Sequence, residues 1–194
     1  MFTKFSVLIV FSVCTVLGFS QPKFDFSEAD QESVKHMVEE ERLAFEIYQF
    51  ASSKWDQPIF QTICTDEKFH LYKIKALAKK YAVESGEEVP GTYDNQGLQD
   101  MFTRYQSKAV VSEKDALLAV ADFEERDIVD LQKYFKTTDN ADLIVAYEYL
   151  LEGAKKHLRM IYQQLTDLGM DYKPAYMHED HFNEIVLQIP ISLR

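Results

Sequence analysis

Two cysteines, five prolines and six glycines are all that this chain of 194 residues contains, and its 21 lysines and arginines face 32 aspartates and glutamates. Cys14 falls in an N-terminal apolar run, so the body of the chain holds one thiol, Cys64. An internal disulfide is then excluded, and stability has to come from core packing. A rubredoxin-like cysteine pair is also missing, so any electron donor would be external. The scarcity of proline and glycine removes the commonest helix breakers and leaves room for long helices. The shortage of bases gives a formal net charge of -11. Such a surface disfavours nucleic acid and anionic membrane as partners and suits the attraction of cations. A hydrophobic content of 46% marks a globular chain, and its length is that of one domain with a sizeable core.

The first twenty residues read as a leader. Lys4 supplies the positive start, Phe5 to Phe19 is an apolar and small-residue run, and Gly18-Phe19-Ser20 offers small residues where a signal peptidase reads. Cleavage is expected near Ser20/Gln21, giving a secreted or periplasmic protein with no membrane contact afterwards. An uncleaved anchor is the alternative, since the run is long for a signal core but short for a span. A lipoprotein anchored at Cys14 is another, although Phe11-Ser-Val-Cys14 fits a lipobox poorly.

Four long segments carry the helical period. The first opens at the capping-box pattern Ser27-Glu-Ala-Asp30 and runs to about Lys54; the second begins at Pro58 and reaches about Tyr81. The third follows Ser112-Glu-Lys-Asp115 to about Phe135, and the fourth runs from near Asn140 to the helix-ending Gly169. Short links within each pair predict two antiparallel hairpins. A crossover from Val83 to Val111, with a short helix near Leu98 to Tyr105, joins them. A polar and aromatic tail from about residue 170 carries a weak amphipathic piece over Glu179 to Leu187. The expected fold is all-α, a four-helix bundle.

Glu67-Lys-Phe-His70 is an E-x-x-H, which aims a carboxylate and an imidazole at one point from one helical face. Ala154-Lys-Lys-His157 echoes it, each His being followed by Leu and, four residues on, Ile. The first and third helices echo each other too, in Glu40-Glu-Arg and Glu124-Glu-Arg. Glu41, Glu67, His70 and His157 sit on apolar stripes, as does Glu124. A buried unpaired carboxylate costs several kcal/mol or becomes neutral, so such residues persist where something compensates them, and divalent metals bridged by carboxylates and capped by imidazoles would do so. A hydrogen-bonded Glu–His pair without metal is the bland alternative. Tyr48 reads first as a core tyrosine with a satisfied hydroxyl, Cys64 as a small buried hydrophobe, and Glu39, Glu40, Glu46 and Asp130 as solvated or ion-paired.

At these motifs the chain resembles the ferritin-like superfamily and, within it, the uncharacterised archaeal and bacterial family DUF2202. The likeness runs from about Val38 to Ile185 and includes Glu39-Glu-Glu-Arg-Leu-Ala-Phe-Glu-Ile-Tyr48, Glu67-Lys-Phe-His70, Tyr147-Glu-Tyr-Leu-Leu151 and His157-Leu-Arg159. Ferritin-like proteins with a full ligand set hold two irons between a glutamate from each of two helices and an E-x-x-H from each of the other two. The resemblance implies Glu41, Glu67 and His70 as ligands in the first half, with Glu124 or Glu125 and His157 in the second. It implies iron, or alternatively manganese or zinc, as the cofactor, and oxidation of Fe(II) by oxygen or peroxide as the activity. The apolar phase favours Glu124, whereas the internal repeat pairs Glu125 with Glu41. Ala154 stands where the second E-x-x-H would have its glutamate, and Asp127, one turn beyond Glu124, is the candidate replacement. If nothing replaces it, a single-metal centre remains, or a degenerate bundle serving as a binding or structural module in the cell envelope. Metal ions are the expected partners, with a homo-oligomer as a further option.

Overall fold

The computed structural model describes residues 26–86 and 88–188; the leader expected over residues 1–20 lies outside them. Among the described residues the chain is all-helical, with α1 (Glu28–Lys54), α2 (Pro58–Lys80), α3 (Gln96–Ala109), α4 (Glu113–Thr137), α5 (Ala141–Asp167) and α6 (Glu179–Leu187). The four long helices match the sequence expectation, α3 is longer than expected, and the tail piece is the helix α6. None of them is long and apolar enough to cross a membrane.

Local chemistry sets the helix ends. Ser27 Oγ accepts from the Asp30 amide at 3.0 Å while Asp30 Oδ2 accepts from the Ser27 amide at 3.0 Å, a reciprocal cap worth about 1 kcal/mol. Thr138 Oγ1 donates to the other Asp30 oxygen at 2.6 Å, tying the start of α1 to the end of α4. Asn140 Oδ1 accepts from the amides of Asp142 and Leu143 and so opens α5. At its far end Gly169 takes φ 69°, and the amides of Gly169 and Met170 return to the carbonyls of Thr166 and Leu165.

The same closure ends α2, but with Ala82 at φ 54° in the left-handed position, its amide and that of Val83 returning to Lys79 and Ala78. A methyl-bearing residue there costs roughly 1–2 kcal/mol of backbone strain, against about 0.5–1 kcal/mol of chain entropy that glycine would lose on folding. Ala82→Gly is therefore expected to stabilise the fold by up to about 1 kcal/mol, read as a rise in the urea midpoint at unchanged slope.

The links at residues 55–57 and 138–140 are so short that α2 must run back along α1, and α5 along α4. The two pairs meet through α2 on α5 and α1 on α4; α3 packs on α1 and α4, and α6 on α5. Tyr48, Phe60, Ile74, Leu117, Phe123 and Leu150 are among the fully enclosed side chains between them.

Buried charges on α1 and α4 fasten the irregular segments to this frame. Glu39 accepts from the amides of Asp94 and Asn95 at 2.7 and 3.0 Å, and Glu46 from the Gly91 amide and the Tyr93 hydroxyl. Arg42 donates to the carbonyls of Val89 and Thr92 and lies over the Tyr93 ring. These contacts hold the crossover along α1. Every residue from Met37 to Ala44 is consequently buried, which places carboxylates on more than one face of the same helix.

Candidate metal centre

Each of the four long helices carries buried ionisable side chains into the same part of the core; Glu67, His70 and His157 meet there, Glu41 and Glu124 each contact one of the imidazoles, and Asp127 feels the charges of Glu41, Glu124 and Glu67. Glu41 comes from α1, Glu67 and His70 from α2, Glu124 and Asp127 from α4, and His157 from α5. None of the six is more than 4% exposed. The three-residue spacing of the E-x-x-H brings Glu67 Oε2 to 3.1 Å from His70 Nδ1. The other oxygen of the same carboxylate, Oε1, is 2.8 Å from His157 Nδ1. Glu67 therefore stands between the two imidazoles, whose rings stack 5.3 Å apart at 27°. Each histidine also has an acid of its own, Glu41 Oε2 at 3.6 Å from His70 Nδ1 and Glu124 Oε1 at 3.6 Å from His157 Nδ1. One donor atom each from Glu67, His70 and His157 lies within 4.8 Å of the others.

Several of these polar atoms are unmatched. Glu41 Oε1, Glu124 Oε2, Asp127 Oδ1 and His157 Nδ1 are buried without a hydrogen-bond partner; the contact from His157 Nδ1 to Glu67 has the length of a hydrogen bond but not its angle. Buried polar atoms are nearly always satisfied, so four unmatched ones in this part of the core are unusual.

The charges respond accordingly. Burial pushes the Glu41 carboxyl up to about 8, more than the neighbouring His70 pulls it down. Burial likewise raises Glu124 against the pull of His157, and burial with the charges of Glu41, Glu40, Glu124 and Glu67 raises Asp127 well above its ordinary value. Glu67 goes the other way: burial opposes it, but His157 and His70 together hold it well below the carboxylate range. Burial works against both imidazolium ions, yet Glu41 and Glu67 raise His70 to about 11, and Glu124 and Glu67 raise His157 to about 10. The shifts together favour the ionised form of Glu67 and the protonated forms of His70 and His157, and hold protons on Glu41, Glu124 and Asp127 above the ordinary carboxylate range.

The surroundings fix the cluster in place. Tyr48, wholly buried, donates to Glu124 Oε1 at 2.5 Å, so its satisfied hydroxyl is also a tether on a site residue. His157 Nε2 faces Asp66 at 3.4 Å, and Asp66 is paired with Lys156. Position 154 is buried and offers only a methyl group. The preceding Gly153 supplies a notch in α5: a Cβ there would stand 2.3 Å from His70 Cε1 and 2.5 Å from Nε2. A surface cleft of about 550 Å³ lies against both histidines, His70 slightly exposed and His157 fully buried, and is lined also by Asp66, Tyr149, Gly153 and Lys156.

Glu125, the alternative to Glu124, turns away. Its carboxylate accepts from the Tyr172 hydroxyl and from the amides of Ala175, Tyr176 and Met177, clamping the tail against α4. Glu148 is on the exposed side of α5. Cys64 is a buried free thiol, as expected, its nearest acceptor the Phe45 carbonyl at 3.9 Å.

A family model described as an uncharacterized protein domain, DUF2202, matches residues 30–188. The chain belongs to the DUF2202 family. Uncharacterized protein MJ0754 of Methanocaldococcus jannaschii is 33% identical to this DUF2202 chain over 169 residues, 86% of the chain and 91% of the relative. The crystal structure of that hypothetical protein superposes with a TM-score of 0.82 at 33% identity, covering 87% of this chain and 97% of the other. The matched span contains all six clustered residues, the Gly153 notch and the tail clamped by Glu125.

Proposed function

We propose that this DUF2202 chain is a ferritin-like four-helix bundle, α1, α2, α4 and α5, that binds divalent metal between Glu41, Glu67, His70, Glu124, Asp127 and His157. The observation that carries this reading is the Glu67 carboxylate set between two imidazoles, with three further acids each keeping a buried oxygen unpartnered. Four carboxylates and two imidazoles are a donor set suited to iron, manganese or zinc. With the histidines neutral, the four negative charges equal those of two divalent cations. Glu67 is placed to reach a metal on either side. Asp127 supplies the carboxylate that Ala154 does not, and the hydroxyl of Tyr48 occupies one oxygen of Glu124, leaving the other for a ligand.

Bound iron would supply electron transfer, two Fe(II) giving two electrons to reduce dioxygen to hydrogen peroxide or peroxide to water. The protein's part is to hold the carboxylates in a dry core, to take up and release the protons that metals displace, and to admit a small oxidant through the cleft beside His70 and His157. Export through the leader would place this chemistry outside the cytoplasm.

Anaerobic Fe(II) titration of the purified protein, with metal counted by mass spectrometry, tests the reading. The expected result is two core equivalents that are absent in Glu67→Ala. One core equivalent would mean that Asp127 does not compensate for Ala154. No tight binding of iron, manganese or zinc would sink the metal reading. The buried Ala154 favours the alternative reading, a bundle kept as a binding or structural module of the envelope.

A further inference from the structure

A second cluster lies on the far side of α1 from His70. Expected to be solvated or ion-paired, Glu40 is wholly enclosed and ion-paired with His36, while both of its carboxylate oxygens lack a hydrogen-bond partner. No lysine or arginine among the described residues pairs with it. Its nearest cationic neighbour is His36, one turn earlier on α1, with Nε2 at 3.4 Å from Glu40 Oε2. That nitrogen is buried and also lacks a hydrogen-bond partner, and Asp130 of α4 brings Oδ2 to 3.9 Å from it. One donor atom from each of the three residues lies within 4.8 Å of the others.

We propose that His36, Glu40 and Asp130 form a second divalent-cation site, separate from the core centre and open to solvent. The spacing suits the role. Ligands bound at about 2.0–2.2 Å to a tetrahedral ion stand roughly 3.5 Å apart, so the three donors need little movement to share one cation. An imidazole with two carboxylates takes manganese, iron or zinc. The cation would also relieve a cost that the His36 pair meets only in part, since a carboxylate with neither oxygen hydrogen-bonded is expensive to bury.

Access and selectivity differ from the core. The side chains of His36 and Asp130 are 19% and 33% exposed, and an adjoining cavity of about 300 Å³ is bounded in part by Glu32, His36, Glu39 and Asp94. Asn95 Nδ2 makes a long hydrogen bond of 3.4 Å to His36 Nδ1, on the ring nitrogen away from Glu40 and Asp130. Lys133 and Arg126 add positive charge nearby without closing the site. On α4, Asp127 is one turn from Asp130 and feels the charges of both Glu40 and Glu41. A cation at the outer position is thus one carboxylate away from the core.

Equilibrium dialysis against Mn(II), and separately Zn(II), followed by metal counting decides the matter. The proteins compared are the wild type, the double variant His36→Ala with Asp130→Asn, and Glu67→Ala. The double variant is expected to bind one cation fewer than the wild type, and Glu67→Ala to keep that cation while losing the core ones. Equal stoichiometry of the double variant and wild type for both metals would overturn the proposal and leave the core reading untouched. If Glu67→Ala binds as many cations as the wild type, and the double variant one fewer, the core reading fails and this site stands. Should the double variant unfold, Glu40→Gln, which keeps the side-chain shape, replaces it with the same expected loss of one cation, and an unchanged count in Glu40→Gln overturns the site.

Discussion

Glu67→Ala is expected to weaken core metal binding by at least about 100-fold, close to 2.7 kcal/mol at 1.4 kcal/mol per tenfold. Glu67 is the acid that faces both imidazoles, at 3.1 and 2.8 Å, whereas Glu41 and Glu124 each face one, at 3.6 Å. On the proposed reading its removal would take a ligand from both halves at once. The fold itself should suffer less. Breaking a buried ion pair costs about 3–5 kcal/mol when the remaining charge has no escape, but an imidazolium can release its proton, and Glu41 and Glu124 stay close. Destabilisation of the metal-free protein by roughly 1–3 kcal/mol is the expected range. Thermal unfolding with and without Zn(II) separates the two effects, best in the His36→Ala, Asp130→Asn background. A ligand at 100 times its dissociation constant stabilises by about 2.7 kcal/mol, and this rise should vanish with Glu67. A variant that melts lower yet gains as much from Zn(II) as its parent would show that the core is not the metal site.

The second large effect concerns pH. Five groups of the cluster are raised in the folded state: Glu41 from 4.5 to about 8, His157 from 6.5 to about 10, His70 from 6.5 to about 11, and, by burial, Glu124 and Asp127 above their ordinary values. In each case the folded chain binds more protons than the unfolded chain between the two values, so stability falls as pH rises through that window. Glu67 is lowered, so its contribution is present above 4.5 and lost in acid. The chelated protein should thus be most stable near about pH 5 and lose stability toward alkaline pH. Each imidazole contributes at most about 1.4 kcal/mol per pH unit within its window. Metal inverts the trend, because ligands must give up those protons to bind and affinity rises with pH. Melting temperatures at pH 5 and pH 9, in chelator and in Zn(II), provide the check. Chelated protein that is as stable at pH 9 as at pH 5 would contradict the charge assignment.

Much of this was legible from local rules. Ser27, Ser112, Asn140 and Gly169 act on their own helix ends, so the boundaries of α1, α4 and α5 followed from neighbouring residues. The E-x-x-H was equally readable, because three residues of helix fix its geometry. Choosing between adjacent glutamates was harder. Periodicity separates residues when one helical face is buried, but α1 is covered by α2, α4 and the crossover at once, and Glu39, Glu40 and Glu41 all became buried with different tasks. The internal repeat pointed to Glu125, whose true partners are backbone amides fifty or so residues away in the tail. Nothing local to α4 announces that contact. Gly153 did leave a sign, an isolated glycine inside a helical stretch.

That notch gives the missing glutamate a different meaning. The ring of His70 fills the space over Gly153, so α5 receives an imidazole from α2 beside position 154, where a symmetric bundle would carry its second glutamate. Two small residues followed three positions later by histidine, facing an E-x-x-H on a partner helix, then form a searchable signature. It would set chains that pack an imidazole into a notch of the fourth long helix apart from those that lack the notch.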